Sequence, residues 1–391
     1  MLEIEEMSKE HIPEELVMKI FVRLPVKSIL RFRTLNKSYN ALTRETSFIT
    51  KHLYHSIEKA KKNPNFMIFH QTNKLVNSTV SEDEQSQPHS IYLNPPFISV
   101  HVNNIGACSH FNGIIYLELF GVPLRPNPKI LWNPATREVR FPPFLPQMKP
   151  TLFTLFHGVH GFGVNPITND FKVVNIIVDA EIWDGGDRKL IGQVYNLHSD
   201  SWKVVNAGVL AYFIYKSMFK AYLNGVYHWL AISSLRDHVE FVLCFDMSDD
   251  VFWKMNLPQF PSQEENNELC VSNHNVVVLN DRIGYVREYT MPFEIQFEIW
   301  VMNDYGVEGF WVRMFNIARG TGLGKILEIW KDDNDDDVVV LGGEEHHPLV
   351  LYKIGQQQVV KEFNVCFRAE HRVVRYVESF LRLSGLVDEE A

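Results

Sequence analysis

Cysteine is scarce in this sequence of 391 residues, and its four positions exclude two classes of site. Cys108, Cys244, Cys270 and Cys366 are far apart and include no CxxC pair. That spacing matches neither a zinc site nor the disulfide framework of a small secreted protein. We therefore expect reduced thiols and a location in the cytoplasm, the nucleus or both. No residue pattern indicates a metal or another cofactor, and we expect none.

Long apolar runs are absent as well. No segment approaches the roughly eighteen consecutive apolar residues that a membrane span needs. Residues 1–11 are acidic and contain no apolar stretch of the kind found in secretory signals. We therefore expect neither a membrane span nor a secretory signal in this sequence.

Basic residues are fewer than acidic residues in this sequence. The chain has 38 Lys and Arg against 47 Asp and Glu, which gives a formal net charge of -9. Residues 1–60 contain ten basic and eight acidic residues, so they carry about +2 and the remainder about -11. An acidic main body does not suit a protein that binds the phosphate backbone of nucleic acids. It suits a basic protein as partner.

Residues 12–53 contain three closely spaced amphipathic helix patterns. Pro13 and Pro25 suit the first position of a helix, where the missing N–H costs nothing. Asn36 suits the N-cap of the third helix. About forty residues are too few to bury a self-sufficient core, so we expect this segment to complete its apolar surface against another protein. A small helical subdomain that packs only on the rest of the chain is the alternative.

The order of residues in this segment resembles the F-box. The resemblance lies in the pair Ile12-Pro13, the stretch 23–30 (RLPVKSIL) and the tail 48–53 (FITKHL). Three residues depart from the family pattern, namely Ile12 in place of the usual Leu, Thr34 where Cys is common and Tyr39 where Trp is common. The resemblance implies an F-box over residues 8–55 that docks to a Skp-type adaptor and, through it, to a cullin. The implied adaptor-binding residues are Ile12, Pro13, Leu16, Ile20, Leu24, Pro25, Ile29 and Leu30.

The rest of the chain contains a loose repeat of strand and turn patterns. Its leading aromatic residues are 63, 50, 55 and 52 residues apart, and they are Trp132, Tyr195, Phe245, Trp300 and Tyr352. Hairpin signals precede several copies at 112–113 (NG), 224–225 (NG) and 280–281 (ND). Two hairpins in each repeat give about four strands per unit, which is typical of a kelch-like β-propeller.

Five repeat units are visible between residues 105 and 385, and a sixth needs strands from elsewhere. Segments 66–69 or 91–93 could combine with a C-terminal strand at 374–383 to close the ring. We expect residues 56–104 to form a linker with the first strands, and 72–90 to be an exposed loop. The predicted fold is therefore α+β and multidomain, with a β-sandwich or barrel as the competing architecture.

The body also resembles the F-box-associated domain of plant F-box proteins. The residues that carry this resemblance lie at 132–137 (WNPATR), 194–195 (VY) with 200–202 (DSW), 224–225 (NG) with 228–229 (HW), 244–246 (CFD) and 299–302 (IWVM). The subtype resembles the S-locus F-box group, whose members can recognise S-RNases in pollen self-incompatibility. The resemblance implies a non-catalytic substrate receptor of a ubiquitin ligase. Such a receptor binds a target protein, which we expect here to be basic, for ubiquitination and proteasomal degradation.

Loops that interrupt the strand patterns are the candidate target-binding segments, and they are 146–151, 181–189, 260–267 and 289–296. The acidic residues proposed to contact the target are Glu181, Asp184, Asp187, Glu264, Glu265 and Glu294. Two other functions stay open. One is a glycan-binding or enzymatic propeller with an incidental helical arm, and the other is a scaffold that does not lead to degradation.

Three motifs that suggest other chemistry have simpler interpretations. His157 and His160 are three residues apart, so on a strand they would point to opposite faces rather than share a metal. The acidic run 332–337 lacks the glycine and glutamate of a calcium-binding EF-hand loop and fits a hairpin tip. The stretch 320–325 (GTGLGK) lacks the spacing of a phosphate-binding loop and is expected to connect two blades.

Overall fold

The computed structural model describes the following residues of the chain: 12–62, 65–69, 75–79, 90–93, 104–120, 128–143, 159–178, 189–211, 213–215, 221–233, 239–258, 270–279, 281–290, 294–307, 310–320, 323–331, 337–343, 348–366 and 372–383. They form a small helical module followed by a mainly antiparallel β domain. The predicted α+β architecture is confirmed. Within the described residues, no helix has the length and apolar character to cross a membrane.

The helical module consists of α1 (Glu14–Phe21), α2 (Val26–Arg33), α3 (Lys37–Leu42) and α4 (Thr46–Lys62). Pro13 and Pro25 occupy the positions just before α1 and α2, where the fixed φ of proline suits a helix start. The Asn36 side chain accepts a hydrogen bond from the Ser38 N–H, as an N-cap should. The helix α4 continues past residue 55, the predicted end of the module.

The strands, in chain order, are β1 (Asn65–Phe69), β2 (Leu75–Thr79), β3 (Ser90–Leu93), β4 (Asn104–Phe111), β5 (Ile114–Phe120), β6 (Lys129–Asn133), β7 (Glu138–Arg140), β8 (Val159–Val164), β9 (Phe171–Val178), β10 (Lys189–Asn196), β11 (Ser201–Leu210), β12 (Phe213–Ile214), β13 (Tyr222–Leu223), β14 (Val226–Ile232), β15 (Glu240–Asp246), β16 (Phe252–Asn256), β17 (Cys270–Leu279), β18 (Arg282–Thr290), β19 (Glu294–Met302), β20 (Trp311–Gly320), β21 (Leu323–Lys331), β22 (Asp337–Gly343), β23 (Pro348–Lys353), β24 (Gln358–Cys366) and β25 (Arg372–Tyr376).

The described strands pair into six sheets. Five follow one another along the chain and are named the first blade (β4–β7), second blade (β8–β11), third blade (β12–β16), fourth blade (β17–β20) and fifth blade (β21–β24). The sixth, called the closing blade, has the order β25-β1-β2-β3, so it pairs the last described strand of the β domain with its first strand. Both segments predicted for a sixth unit are used, because 66–69 lies in β1 and 91–93 in β3.

The blades form a closed ring. The strands β25, β4, β8, β13 with β14, β17 and β21 contact one another in that order, and β21 contacts β25 again. Separate apolar clusters fill the interfaces between neighbouring blades. Between the fifth and closing blades, the rings of Phe66 and Trp330 are 5.3 Å apart. This arrangement is a six-bladed propeller and not the alternative sandwich or barrel.

Each blade packs on both of its faces, which explains the continuous apolar runs in its strands. In β5, Ile115 and Leu117 belong to the cluster shared with the closing blade, whereas Ile114 and Tyr116 belong to the cluster shared with the second blade. Successive side chains of a strand point to opposite faces, so both faces need apolar residues. The alternation expected of a half-exposed strand is therefore missing.

The repeated aromatic residues occupy equivalent places, on the third strand of the first to fifth blades. Trp132, Tyr195, Phe245, Trp300 and Tyr352 lie on β6, β10, β15, β19 and β23. The turn signals are confirmed too. Both residues of the turns at 112–113 and 224–225 have positive φ, between 47° and 87°, which asparagine and glycine tolerate best.

The two ends of the propeller differ. The lower end is defined here as the end with the turns 112–113 and 224–225, and the upper end is the opposite one. The connections β5–β6, β9–β10 and β18–β19 lie at the upper end, as the strand registers show.

The expected loop at 72–90 is partly wrong, because residues 75–79 form β2 and pair with β1. The C-terminal strand also ends earlier than expected, at Tyr376.

Candidate functional site

An apolar stripe runs along the exposed side of the helical module. It consists of Ile12, Leu16 and Ile20, which are four residues apart and 53%, 48% and 52% exposed. Leu16 and Ile20 lie on one side of α1, because residues four apart in a helix share a side, and Ile12 lies two residues before the helix. Val17 and Phe21, on the other side of α1, are buried in the module's core. The helix α1 therefore has two apolar sides, and within the described residues only one of them is covered.

The remaining predicted adaptor contacts are not all accessible. Pro13 and Pro25 are exposed, and Leu24 and Leu30 are partly buried against the module's core. Ile29 is 0% exposed and belongs to that core. Its predicted place in an exposed apolar face is therefore corrected: the side chain anchors α2 inside the module and has no surface to offer a partner.

Two further apolar side chains are exposed in the same module, and the sequence analysis missed them. Leu35, in the turn after α2, is 75% exposed, and Phe32 is exposed to a smaller extent. Lys19, Arg23 and Lys27 are exposed as well and supply basic charge. Helical spacing could have identified Phe32 as an apolar residue on one side of α2, but it does not show which side of a short helix remains exposed.

Two of the three departures from the F-box pattern, Thr34 and Tyr39, introduce a hydroxyl group, and both side chains fit the module. The Thr34 hydroxyl donates a hydrogen bond of 2.7 Å to the Arg31 carbonyl, which satisfies it within its own turn. Tyr39 packs edge-on against Phe21, with ring centroids 5.1 Å apart, and contributes to the module's core. Both residues therefore fit the fold of the module.

The core of the module is completed by the C-terminal segment of the same chain. Phe380 is 2% exposed and lies in one apolar cluster with Phe48 and Ile29. Its ring centroid is 4.9 Å from the His52 ring, and the Arg33 guanidinium carbon is 4.7 Å from it on the ring face. The expectation that another protein completes this core is therefore corrected in part, because residues 377–383 cover one side and the apolar stripe remains open.

The same segment is fastened to the lower end of the first blade. The Asn133 side-chain amide donates to the carbonyls of Ser379, at 3.0 Å, and Leu381, at 2.8 Å. The Leu383 N–H donates to the Glu138 carboxylate at 3.0 Å. Asn133 also accepts hydrogen bonds from the two turn amides that follow Pro134, so one asparagine shapes the turn and holds the segment.

A buried ionic cluster lies between the first and second blades, toward the upper end. The Glu118 carboxylate contacts Lys129 Nζ at 3.2 Å and His160 Nε2 at 2.8 Å. The Tyr116 hydroxyl lies 3.3 Å from His160 Nδ1. Burial by itself would raise the pKa of Glu118, but the charges and hydrogen bonds of His160 and Lys129 outweigh it and lower this pKa to about 2.

A second polar cluster lies between the third and fourth blades and is partly open to solvent. The Glu240 carboxylate accepts hydrogen bonds from Tyr285, at 3.1 Å, and Tyr215, at 3.4 Å. His274 Nε2 is 3.1 Å from Glu240. Burial lowers the pKa of His274, and the Glu240 charge opposes this only in part. The sequence analysis missed both clusters, because their members come from strands far apart in the chain.

Most of the proposed target contacts lie outside the described residues. This holds for Glu181, Asp184, Asp187, Glu264 and Glu265, and for the loops 146–151 and 260–267. Glu294 begins β19, at the upper end of the fourth blade.

One of the predicted target-binding loops is largely a pair of strands. Residues 289–290 belong to β18 and residues 294–296 to β19, so the loop 289–296 is shorter than expected. Tyr289 is buried, and its hydroxyl donates to Glu298. It is a structural residue rather than a free loop side chain.

The motifs that suggested other chemistry have structural places. His160 lies on β8 in the buried cluster around Glu118. The run 332–336 lies outside the described residues, but the flanking β21 and β22 pair as a hairpin, with Lys331 opposite Asp337. Residues 320 and 323 end β20 and begin β21, which belong to different blades, as predicted for a connection between blades.

Known protein families match both parts of the chain. The model of the F-box domain matches residues 10–51, and the model of the F-box associated beta propeller domain matches residues 124–383. The F-box protein CPR1 of Arabidopsis thaliana is 23% identical over 326 residues, which cover 79% of this chain and 73% of that protein. An F-box/kelch-repeat protein of Arabidopsis thaliana is 22% identical over 303 residues, which cover 75% and 71%.

Among solved structures, TolB from Acinetobacter baumannii is similar with a TM-score of 0.44 and 9% identity. The alignment covers 84% of this chain and 73% of that one. A likeness of this size has no bearing on activity.

Proposed function

The chain belongs to the family of F-box proteins that carry an F-box associated β-propeller domain, and from this premise we propose that it is the substrate-recognition subunit of a Skp–cullin–F-box ubiquitin ligase. In this role the helical module docks to a Skp-type adaptor, and the propeller binds the target protein. The ligase supplies the chemistry, and this chain contributes proximity between the target and the ubiquitin-charged enzyme. The protein is then a receptor and not itself an enzyme.

The apolar stripe is the observation that carries this proposal. Leu16 and Ile20 lie on one side of α1, and Ile12 precedes the helix by two residues; each of the three side chains is about half exposed. The other side of α1 is buried. Exposed apolar side chains grouped in this way mark a surface for a protein partner. The stripe lies within the residues matched by the F-box model. Leu35 and Phe32 lie there too, and they extend the exposed apolar area beyond the predicted contacts.

We propose the upper end of the propeller as the target-binding end, because the lower end of the first blade is covered by the C-terminal segment and the helical module. The acidic residues predicted for target contact, among them Glu181 and Glu264, would then favour a basic target through charge complementarity. A secreted S-RNase is the target class that the S-locus resemblance suggests. We propose that recognition takes place in the cytoplasm, the nucleus or both and leads to degradation of the target.

The docking proposal is tested by co-purification with a Skp-type adaptor. Leu16→Asp places a charge in the centre of the apolar stripe, where it must be desolvated on docking, and we expect at least about a 100-fold loss of adaptor affinity. Ile167→Asp is the matched control, because Ile167 is 77% exposed in a turn of the second blade. Adaptor binding that survives Leu16→Asp would contradict the proposal.

Target recognition is tested separately, with a panel of basic ribonucleases. The full chain bound to the adaptor should capture at least one of them, and capture should weaken as salt rises. Reversing the acidic residues 181, 184 and 187 to lysine should reduce capture without affecting adaptor binding. If no ribonuclease is captured, the basic-target proposal fails. If, in addition, adding the chain to a lysate does not change the ubiquitination of any protein, the alternative function is favoured. In that case the chain is a scaffold that acts through the adaptor alone.

A further inference from the structure

We propose that residues 377–383, named here the clasp, are positioning residues that hold the helical module in one orientation on the propeller. The inference deepens the proposed function and rests on it for its consequence in ubiquitin transfer, because the orientation sets where a bound target faces the ligase. The structural part of the inference concerns this chain alone. It is argued from the contacts of the clasp on its two sides and from the second attachment of the module.

On the module side, the clasp contacts two helices. The Phe380 ring lies 5.7 Å from Phe48 and 4.9 Å from His52, both on α4. The Glu378 carboxylate accepts a hydrogen bond of 3.0 Å from the Val26 N–H, the first amide of α2. A carboxylate at that point satisfies an otherwise orphaned amide and suits the helix dipole. The clasp therefore fixes both the position and the rotation of the module.

On the propeller side, the clasp has no freedom to slide. The strand β25 holds its beginning within the closing blade. Its end is held by Leu383, which is buried in the cluster between the first and second blades. In the middle, Ser379 is fully buried against the turn at Gly113, where an added Cβ would lie only 2.5 Å from the serine Cβ. Gly113 has a φ of +84°, so glycine suits this position for two reasons.

The module has a second attachment, at the other end of α4. The helix has 17 residues, which corresponds to about 25 Å, and it leads directly toward β1. If α4 were attached to the propeller only at this end, the helical module could rotate about that point. The clasp, at Phe48 and His52, adds the distant second point that prevents it.

The clasp thus links the closure of the ring to the orientation of the adaptor-binding stripe. A target lysine reaches the charged enzyme only over a limited range of orientations, and a swivelling module lowers its effective concentration there. Removal of Phe380 is expected to affect orientation much more than the stripe itself, because the stripe is on the uncovered side of α1 and Phe380 packs on α4.

The test measures one distance within the full chain. Spin labels on noncanonical amino acids at positions 35 and 167, both highly exposed, report the distance between the module and the second blade by double electron–electron resonance. The wild type should give one narrow distribution. Phe380→Ala should broaden it, and Phe380→Leu, which keeps most of the apolar volume, should restore it. Phe297→Ala is the matched control, because Phe297 is 1% exposed in the core between the fourth and fifth blades.

A narrow, unshifted distribution in Phe380→Ala would overturn the proposal. Adaptor affinity, measured on the same unlabelled variants, should change by less than about threefold. A loss beyond about tenfold would show that Phe380 maintains the fold of the module and not its orientation, and this too would overturn the positioning role. If even the wild type fails to bind the adaptor, the proposed function fails, while the distance distributions still decide whether the clasp fixes the module.

Discussion

Glu118→Gln should destabilise the propeller strongly and in a way that depends on pH. The wild-type carboxylate lies between Lys129 and His160, and its side chain is 9% exposed. Its pKa is about 2 in the folded protein against 4.5 for the unperturbed group. A difference of about 2.5 pKa units corresponds to roughly 3 kcal/mol of stability near neutral pH. Glutamine keeps the shape of the side chain but removes the charge.

The sign of the pH dependence follows from the lowered pKa. A carboxyl group with a folded pKa below its unfolded value contributes its full stability above about pH 5, and this contribution is lost as pH falls toward 2. Roughly 1 kcal/mol of it is gone by about pH 3.5. In Glu118→Gln, the buried Lys129 ammonium loses its counter-ion and His160 loses the carboxylate beside its Nε2, so the cost at neutral pH should be about 3 to 5 kcal/mol.

Chemical denaturation of the two proteins between about pH 7 and pH 3.5 measures this difference. The gap in free energy of unfolding should be largest at neutral pH and should shrink in acid. Glu58→Gln is the control, because Glu58 is a partly exposed partner of Lys61 on α4 and its loss should cost less than about 0.5 kcal/mol. A gap below about 1 kcal/mol, or one that does not change with pH, would refute the reasoning.

Three further substitutions test other contacts of the fold. Asp250→Asn leaves the buried Lys172 ammonium, 2.9 Å from the carboxylate in the wild type, without its counter-ion and should lower the free energy of unfolding by about 3 kcal/mol in a denaturation experiment. Gly163→Ala drives a methyl group into the Tyr222 ring and should lower Tm, with a cost of about 1 to 3 kcal/mol; an unchanged Tm would contradict this close packing. Asn36→Ala removes the cap of α3 and should cost about 1 kcal/mol, visible as faster amide exchange in that helix.

The repeat pattern made the propeller predictable because similar local requirements recur along the chain. In the first and third blades, the third strand carries an aromatic residue and is followed by a turn in which a polar side chain accepts backbone N–H bonds. The Asn133 carbonyl does this in the first blade, and the Asp246 carboxylate does it in the third. Such turn chemistry is encoded within a few residues, so it is readable from one sequence. The closing blade followed from the need to pair the first strands with a partner.

The contacts that join distant segments were not predictable in the same way. The stretch 377–383 was expected to continue the last strand, because Phe380, Leu381 and Leu383 are apolar. In the structure the strand ends at Tyr376, since Phe380 is required in the module's core and Asn133 captures the backbone on either side of it. Nothing local distinguishes an apolar residue that packs in its own sheet from one that packs in another domain.

The predicted adaptor contacts show the same limit at the level of single residues. The family pattern identified a segment that the F-box model also matches. Helical spacing placed Leu16 and Ile20 together on one side of α1. The family pattern grouped Ile29 with them, although the structure buries that side chain completely. In a helix of eight residues such as α2, the exposed and buried sides are separated by only one or two positions. Which side faces the core depends on where α4 and the clasp pack.

The most direct test of the account is the footprint of a Skp-type adaptor on the full chain, measured by hydrogen–deuterium exchange. We predict protection from exchange in residues 12–35, around the apolar stripe and Leu35, and unchanged exchange in the described strands at the upper end of the propeller, such as the start of β15. Protection confined to the upper end, or none anywhere at saturating adaptor, would contradict the assignment of the helical module as the docking site.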